Sequence, residues 1–233
     1  MDSFAILIPA AGKSVRFGGV RGKLLEPLAG EPVLRHSVRA FLSRTDVSAI
    51  IIAAPPDDVS ILQDALGPLA SDSRIKFCRG GDNRAQSVRN ALWNVPTDIA
   101  WVAVHDAARP LVSQQVIDRT FAAAREHGAA VPAMPVALTI KRASGPLPAR
   151  VEQTVPRHSL WAMQTPQAMR RDALRAAFES CPLPLDQVTD DAQLIELAGG
   201  DVWLVEGEER NLKITTPMDL HLAELILSDA RPA

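Results

Sequence analysis

Several kinds of functional site are missing from this 233-residue sequence. It has only two cysteines, Cys78 and Cys181, which we interpret as small core residues in a reducing compartment. Its five histidines are scattered, with no H-x-x-x-H or C-x-x-C pattern, which argues against a dedicated zinc site. No apolar run approaches the ~18 residues of a membrane span, and the amino terminus lacks a signal-peptide pattern. We therefore expect a cytoplasmic protein.

A basic excess is also missing. The formal net charge is −2, whereas a protein that binds nucleic acid usually carries surplus lysine and arginine. Nucleic acid is thus not an expected partner, and the lack of a long apolar run gives the same expectation for a membrane. Any anion must be bound by a few locally placed cations. The length and the 47% hydrophobic content suit one α/β domain with a full core.

The most informative segment is the first apolar run and the loop after it. Residues Phe4 to Ile8 form a short continuous apolar stretch, which is typical of a strand buried on both faces of a parallel sheet. Small residues follow at Ala10-Ala11-Gly12, and four cations then fall within about a dozen positions up to Lys23. Free backbone N–H groups and cations at the end of a buried strand favour an anion, and a polyphosphate is the natural candidate.

Two better-known phosphate loops are excluded by spacing. A P-loop ending in Gly12-Lys13-Ser14 would need glycine at position 7, where Leu7 stands. A dinucleotide fingerprint would need its second glycine at the position of Ser14. The loop can still be an ordinary strand-to-helix turn with solvated cations.

The chain alternates strand and helix patterns, which predicts a Rossmann-like α/β fold: a largely parallel sheet flanked by helices. The predicted strands are 4–8, 49–54, 74–78, 99–104 and 201–206. The predicted helices are one starting at 55–58 and those at 84–92, 113–127, 171–180, 188–200 and 217–227, with Ser113 as an N-cap.

The alternation breaks between Pro135 and Pro156. Two short β-prone segments flank a Gly/Pro turn at 144–148, which predicts a protruding β-hairpin arm. Such a hairpin has too little apolar surface to be stable alone, so we expect it to pack on a second subunit. The alternative is a local surface hairpin. We divide the chain into one domain, residues 1–233, with a dimerisation arm at about 135–156.

Four polar segments are expected at the carboxyl ends of the strands, where open α/β sheets bind ligands. They are residues 12–23, 80–87, 105–109 and 211–213, with Lys213 placed on a core strand. Together they offer cations, a carboxylate and a backbone-lined pocket.

These segments resemble the 2-C-methyl-D-erythritol 4-phosphate cytidylyltransferase family of the non-mevalonate isoprenoid pathway. The matching stretches are A-A-G with Arg16 and Lys23 after it, G-G-x-x-R-x-x-S-V at 80–88, V-H-D-A-A-R-P at 104–110, and T-D-D at 189–191 with V-E-G-x-x-x-N-x-K-I-T at 205–215. The resemblance covers residues 5–225 and implies a nucleotidyltransferase fold. It also implies a homodimeric enzyme that uses Mg²⁺ to transfer a cytidylyl group from CTP to a polyol phosphate. No fused cyclodiphosphate synthase domain is expected.

The resemblance also implies roles for individual residues. Arg16 and Lys23 would stabilise transition-state charge, while Arg157 and Lys213 would position the methylerythritol phosphate; these four are the expected catalytic residues. The expected CTP contacts are Ala10, Ala11, Gly12, Gly81, Asp82, Ser87 and Ala107. The other expected contacts with the polyol phosphate are Asp106, Arg109, Thr139, Thr165 and Thr189, and Asp106 would also bind Mg²⁺.

Alternatives remain at several of these positions. Asp106 can be a turn cap, Asp82 and Ser87 can be a cap and a surface hydroxyl, Thr165 can only shape a turn, and Thr189 can only cap a helix. His105 is expected to orient its neighbours rather than act as a base.

Two positions depart from the family pattern: Ser14 stands where glycine is usual, and Gly22 stands where proline is usual. Two rival functions are a ribitol-5-phosphate cytidylyltransferase and a non-catalytic nucleotide-binding subunit.

Overall fold

The computed structural model describes residues 3–12, 17 and 22–229. Its strands are β1 (Phe4–Pro9), β2 (Pro27–Leu28), β3 (Glu31–Pro32), β4 (Val47–Ala54), β5 (Ile75–Arg79), β6 (Trp101–Val104), β7 (Ala129–Pro135), β8 (Ile140–Ala143), β9 (Val151–Val155), β10 (Trp161–Met163), β11 (Gln167–Arg170) and β12 (Trp203–Glu206). Its α-helices are α1 (Val33–Leu42), α2 (Val59–Leu66), α3 (Arg84–Trp93), α4 (Gln114–His127), α5 (Arg171–Ser180), α6 (Asp191–Leu197) and α7 (Pro217–Asp229). Single 3₁₀ turns cover Pro56–Asp58 and Gly67–Ser71.

The central sheet has eight strands and the predicted parallel core. Its order is β10-β7-β11-β6-β1-β4-β5, and β12 also pairs with β7. Strand β1 is parallel to both neighbours, β4 and β6, and β5 is parallel to β4. Because these strands run in one direction, the loops after them meet at one edge of the sheet.

The alternating side chains of β1 explain why the sheet is covered on both faces. Phe4, Ile6 and Ile8 pack into one apolar cluster with α1, α2 and α4, while Ala5 and Leu7 pack into another with α3, α5 and α6. All five side chains have no exposed surface. The continuous apolar run was therefore interpreted correctly as a doubly buried strand.

The sequence prediction was incomplete on the other half of the sheet. It treated residues 164–167 as a segment leading into a helix, but Gln167–Arg170 forms β11, antiparallel to both β6 and β7. It also omitted α1 and β7. Strand β11 has polar residues at both ends, and its burial comes from pairing with distant strands, which local pattern does not reveal.

The predicted hairpin arm is present. Strands β8 and β9 form a two-stranded antiparallel sheet of their own, and most of their residues are exposed. Apolar side chains on the arm are exposed too, with Leu138 at 75% and Leu147 at 88%. Whether a second subunit covers them stays a prediction.

Two local predictions are confirmed, the N-cap at Ser113 and the packing of the two cysteines against the core. The Ser113 hydroxyl accepts a hydrogen bond from the Val116 amide at 3.1 Å and caps α4. Cys78 and Cys181 are free thiols packed against the core cluster that includes Ala5 and Leu7. Among residues 3–12, 17 and 22–229, no helix combines the length and apolarity needed to traverse a lipid bilayer.

The first prediction tests the packing between β1 and α4. The rings of Phe4 and Phe121 stack with centroids 3.7 Å apart, and both are fully buried. Phe121→Ala should lower the free energy of unfolding by about 3–5 kcal/mol, because it removes a buried ring and leaves a cavity. The control Ile61→Ala, at a side chain 48% exposed, should change it by less than about 1 kcal/mol. Urea denaturation followed by circular dichroism measures both, and equal losses would contradict this account.

Candidate active site

A cleft of about 730 Å³ opens where the loops after β1, β5 and β6 meet. It is lined by small residues after β1, by the loop before α3 and by the segment after β6. The predicted residues that line it are Ala10, Ala11, Gly12, Lys23, Gly81, Asp82, Ser87, Asp106, Ala107 and Lys213. The structure thus brings the expected nucleotide contacts together with both expected catalytic lysines, Lys23 and Lys213.

The loop from Gly80 to Asn83 leads into α3 and is held by its own backbone N–H groups: the Gly80 amide donates to the Ala54 carbonyl and the Asp82 amide to Gln86 Oε1. Gly80 is required by close approach, since a Cβ there would lie 2.4 Å from the Cβ of Ala11. The buried Ser87 hydroxyl accepts from the Gly81 amide at 3.0 Å and donates to the Asn83 carbonyl at 2.9 Å. Ser87 therefore fixes the conformation of this loop through hydrogen bonds to its backbone. The Asn83 side chain caps α3 by accepting from the Gln86 amide. A helix amino terminus of this kind favours an anion.

Asp106 is the electrostatic centre of the site. Its carboxylate lies 2.9 Å from Lys213 Nζ, 3.1 Å from Arg84 Nε and 3.5 Å from Arg109 Nε, and the residue is only 7% exposed. Burial by itself raises the pKa of Asp106, but Arg84, Lys213 and Arg109 outweigh it and hold the pKa far below its usual range. These three cations therefore favour the ionised form of Asp106.

Arg84 continues the cluster to a second buried carboxylate. Its Nη2 donates to Asp191 Oδ2 at 2.8 Å, and Asp191 has no exposed surface. Burial raises the pKa of Asp191, against the opposing effect of Arg84. With Arg84, Arg109 and Lys213 around two carboxylates, the cluster can carry an excess positive charge, which suits a phosphate group.

His105 is buried under this cluster and positions it. Its Nε2 lies 3.1 Å from the Arg109 carbonyl, which can only accept, so Nε2 carries the proton and Nδ1 accepts from the Thr165 hydroxyl at 3.1 Å. The Thr165 oxygen accepts in turn from the Asp106 amide. Burial lowers the pKa of His105 to about 4. The expectation that His105 orients its neighbours agrees with this geometry.

The segment that carries Lys213 is a loop, so its predicted position on a core strand was wrong. β12 ends at Glu206, and the loop after it is held by individual side-chain and backbone hydrogen bonds outside any β-ladder. Buried Asn211 donates to the Thr165 carbonyl at 2.9 Å and to Gln164 Oε1 at 3.1 Å. The Ile214 amide donates to the Ala108 carbonyl at 2.8 Å, which brings Lys213 beside Asp106.

Other predicted residues lie outside the cleft of their own chain. Arg109 and Thr165 contact Asp106 but are not among the described residues that line the cleft. Thr139 and Arg157 are exposed near the arm, where Arg157 donates to the Ala137 carbonyl. Thr189 is exposed and donates to Gln193 Oε1, while Asp190 is the N-cap of α6. Arg16 and Ser14 lie outside the described residues.

Sequence reasoning missed the roles of Arg84 and Asp191. Both stand in motifs that were singled out, Arg84 in G-G-x-x-R and Asp191 in T-D-D. The opposite charges of Arg84 and Asp191, each inside one of these motifs, were a signal in the sequence that the two side chains could form an ion pair. Gln164 was also missed, because an amide gives no sequence signal for the loop it will hold.

Gly22, one of the two departures from the family pattern, has a φ of 73°. Proline cannot adopt this angle because its ring fixes φ near about −65°. Glycine at position 22 is therefore matched to this backbone conformation just before Lys23.

The carboxylates lining the cleft can be compared with the ligands that a magnesium ion requires. Within the described part of the chain, no three His, Cys, Asp or Glu side chains are grouped to hold a metal. The carboxylates facing the cleft are Asp82 and Asp106. Mg²⁺ usually keeps several waters and is held by one or two carboxylates together with substrate phosphates. This donor set fits a metal brought by a triphosphate, and Asp106 as its ligand stays a prediction.

The buried neutral His105 predicts a pH dependence of stability. Between its ordinary pKa of 6.5 and the lowered value of about 4, the unfolded chain takes up a proton that the native chain does not. Stability should therefore fall as the pH drops through this range, by about 2 kcal/mol between about pH 7 and pH 5 from this group.

Denaturation at both pH values measures the effect. His105→Gln should remove about 2 kcal/mol of the pH dependence, whatever its effect on stability at neutral pH. His158→Gln, at an exposed position, should keep the wild-type difference. The account fails if His105→Gln and wild type lose the same stability.

Comparison with known proteins places this chain in a family. The family model of 2-C-methyl-D-erythritol 4-phosphate cytidylyltransferase matches residues 4–229. The chain is 41% identical over 234 residues to the Streptomyces avermitilis protein of that name, an alignment that covers 97% of this chain and 92% of the relative.

A second relative, the bifunctional enzyme IspD/IspF of Rhodospirillum rubrum, is 42% identical over 96% of this chain, and the chain spans 57% of its length. The solved cytidylyltransferase of Thermus thermophilus superposes with a TM-score of 0.77 at 33% identity, covering 98% of this chain and 100% of that one. This chain therefore belongs to the 2-C-methyl-D-erythritol 4-phosphate cytidylyltransferase family of nucleotidyltransferases.

Proposed function

We propose that this chain transfers a cytidylyl group from CTP to 2-C-methyl-D-erythritol 4-phosphate in isoprenoid precursor biosynthesis. A phosphate oxygen of the polyol phosphate attacks the α-phosphorus of CTP, the bond to the β-phosphate breaks, and pyrophosphate leaves. The product is 4-diphosphocytidyl-2-C-methyl-D-erythritol. The observation that carries the proposal is the placement of the backbone-lined cleft beside the Asp106–Lys213–Arg109 cluster.

The nucleotide side of the cleft fits CTP through backbone and small side chains. Ala10, Ala11, Gly12 and Gly81 leave room for a base and ribose, while the N–H groups of Ala10 and Gly81 are already bonded to the Ala53 carbonyl and to Ser87 Oγ. The exposed Asp82 stands at the loop tip, where its carboxylate can accept from a ribose hydroxyl or an exocyclic amine. Discrimination against a wrong base comes from hydrogen bonds left unmade.

The second substrate is proposed to bind at the cationic cluster. Lys213 has three N–H donors and is 35% exposed, so it can keep Asp106 and also hold a phosphate oxygen. Asp106, being ionised, can accept from polyol hydroxyls. Lys23, which also lines the cleft, is proposed to stabilise the charge that develops on the phosphates, and the same role is proposed for Arg16.

Mg²⁺, when bound, would supply neutralisation of the triphosphate charge, with Asp106 as its protein ligand. We also propose that the enzyme works in the cytoplasm, consistent with its two unpaired thiols, and as a homodimer joined through the arm. The exposed apolar residues Leu138 and Leu147 support the second point, since a partner would cover them.

The function is tested by pyrophosphate release with Mg²⁺, four nucleoside triphosphates and a panel of polyol phosphates. We expect turnover with CTP, and higher kcat/KM for methylerythritol phosphate than for ribitol 5-phosphate. Lys213→Ala should lower kcat by about 10²-fold, the scale for one preorganised charge. Lys76→Ala, at an exposed position on β5, should keep wild-type activity.

Three results would contradict the proposal. Equal turnover with ATP or GTP would overturn the cytidylyltransferase assignment, and preference for ribitol 5-phosphate would change the second substrate. CTP binding by calorimetry without pyrophosphate release would indicate a non-catalytic nucleotide-binding subunit.

The dimer proposal predicts that Arg157 serves the partner's site while Lys213 serves its own. Thr139 and Arg157 do not line the cleft of their own chain, which supports an arm acting across a subunit boundary. Arg157→Ala and Lys213→Ala homodimers should each be nearly inactive. Co-refolded in equal amounts, they should form mixed dimers with one intact site, and about a quarter of wild-type activity should return if pairing is random.

The control must show that the two variants form mixed dimers. Differently tagged subunits recovered together show that heterodimers form. If they form and no activity returns, Arg157 does not act across the interface.

A further inference from the structure

Arg84 joins three separate segments of the site. It is the first residue of α3, directly after the nucleotide-side loop, and its side chain is 29% exposed. Its Nε donates to Asp106 Oδ1 at 3.1 Å in the segment after β6. Its Nη2 donates to Asp191 Oδ2 at 2.8 Å at the start of α6, close in sequence to Thr189. A displacement of any one segment therefore changes the ion pairs that Arg84 makes with the other two.

Asp191 makes this bridge energetically demanding. The residue is fully buried, and among the described atoms its Oδ1 has no hydrogen-bond partner. Its backbone amide donates to Gln167 Oε1 at 2.9 Å, so its position is fixed by β11. An unpaired buried carboxylate is strongly unfavourable, which holds the Arg84 guanidinium in place.

We propose that Arg84 is a positioning residue for the cytidylyl transfer: anchored by Asp191, it fixes Asp106 at the polyol-phosphate end of the cleft. The inference rests on the proposed function, since it assigns Asp106 to the second substrate. A planar guanidinium can serve two carboxylates through different N–H groups in fixed directions. The ammonium of lysine is a point charge and lacks this geometry, so the bridge requires arginine.

The bridge leaves a defined arrangement at Asp106. Arg84 holds Oδ1, so Oδ2 is the oxygen shared by Lys213 and Arg109. Without Arg84 the carboxylate can rotate about its own bond and change the position of Lys213. Both groups are proposed to contact the polyol phosphate, whereas the CTP side is shaped by backbone and by Ser87.

The experiment compares Arg84→Gln and Arg84→Lys with wild type in steady-state kinetics for both substrates. We expect kcat/KM for the polyol phosphate to fall by about 10²-fold in both variants, the scale for a misplaced reacting group. The Kd for CTP alone, measured by calorimetry, should change by less than about threefold. Arg89→Gln, an exposed arginine on the same helix, should behave as wild type in both assays.

A double variant separates positioning from simple charge balance. Arg84→Gln leaves Asp191 buried without its cation, and that variant alone can fail to fold. Arg84→Gln combined with Asp191→Asn removes both charges, so the thermal midpoint should recover toward wild type. The proposal expects kcat/KM for the polyol phosphate to stay low in this double variant, because Asp106 still lacks its bridge.

Three outcomes would overturn the inference. They are wild-type kcat/KM in the well-folded double variant, full activity in Arg84→Lys, or a CTP Kd weakened as much as the polyol-phosphate kcat/KM. The last would make Arg84 a nucleotide contact. Wild-type protein assayed in parallel distinguishes this failure from that of the proposed function, because without wild-type turnover the reaction itself is wrongly assigned.

Discussion

The buried charge of Asp106 is the constraint on which the active site depends. A carboxylate with so little access to water is stable only if cations replace its hydration, and Arg84, Arg109 and Lys213 do so from three parts of the chain. Each cation must come within hydrogen-bond or ion-pair distance of the same Asp106 carboxylate. The loop before α3, the segment after β6 and the loop after β12 are thereby held to one geometry.

The neutral groups around this cluster set its orientation. His105 and Thr165 form a short chain of hydrogen bonds that ends at the Asp106 amide, while Asn211 and Gln164 fasten the loop of Lys213. Gln164 and Thr165 lie just before β11, separated from it by Pro166, and β11 is the strand between β6 and β7. The antiparallel strand therefore does more than complete the sheet, since it fixes the residues that hold the charged groups.

The sequence was sufficient for the parallel half of the sheet and for most cleft residues. Apolar runs such as Phe4 to Ile8 need no tertiary information, because their composition already implies burial on both faces. Strand β11 and the loop position of Lys213 could not be predicted without tertiary information. No local sequence pattern distinguishes β11 from a segment leading into a helix, or the Lys213 loop from a strand. The Arg84–Asp191 pair spans 107 positions, and a contact at that distance is created by the fold.

The base of the hairpin arm has a consequence for how the molecule can vary. The chain leaves the central sheet at Pro135 and returns at Trp161, and these two residues are paired in the register of β7 and β10. The Val136 amide also donates to the Leu160 carbonyl, so the exit and the return are joined side by side. The two ends of the arm are therefore brought together by the pairing of Pro135 with Trp161. The roughly 25 residues between these two contribute little to the central sheet. The arm can thus gain, lose or exchange residues at its tip while the sheet, and the cleft that the sheet supports, keep their shape.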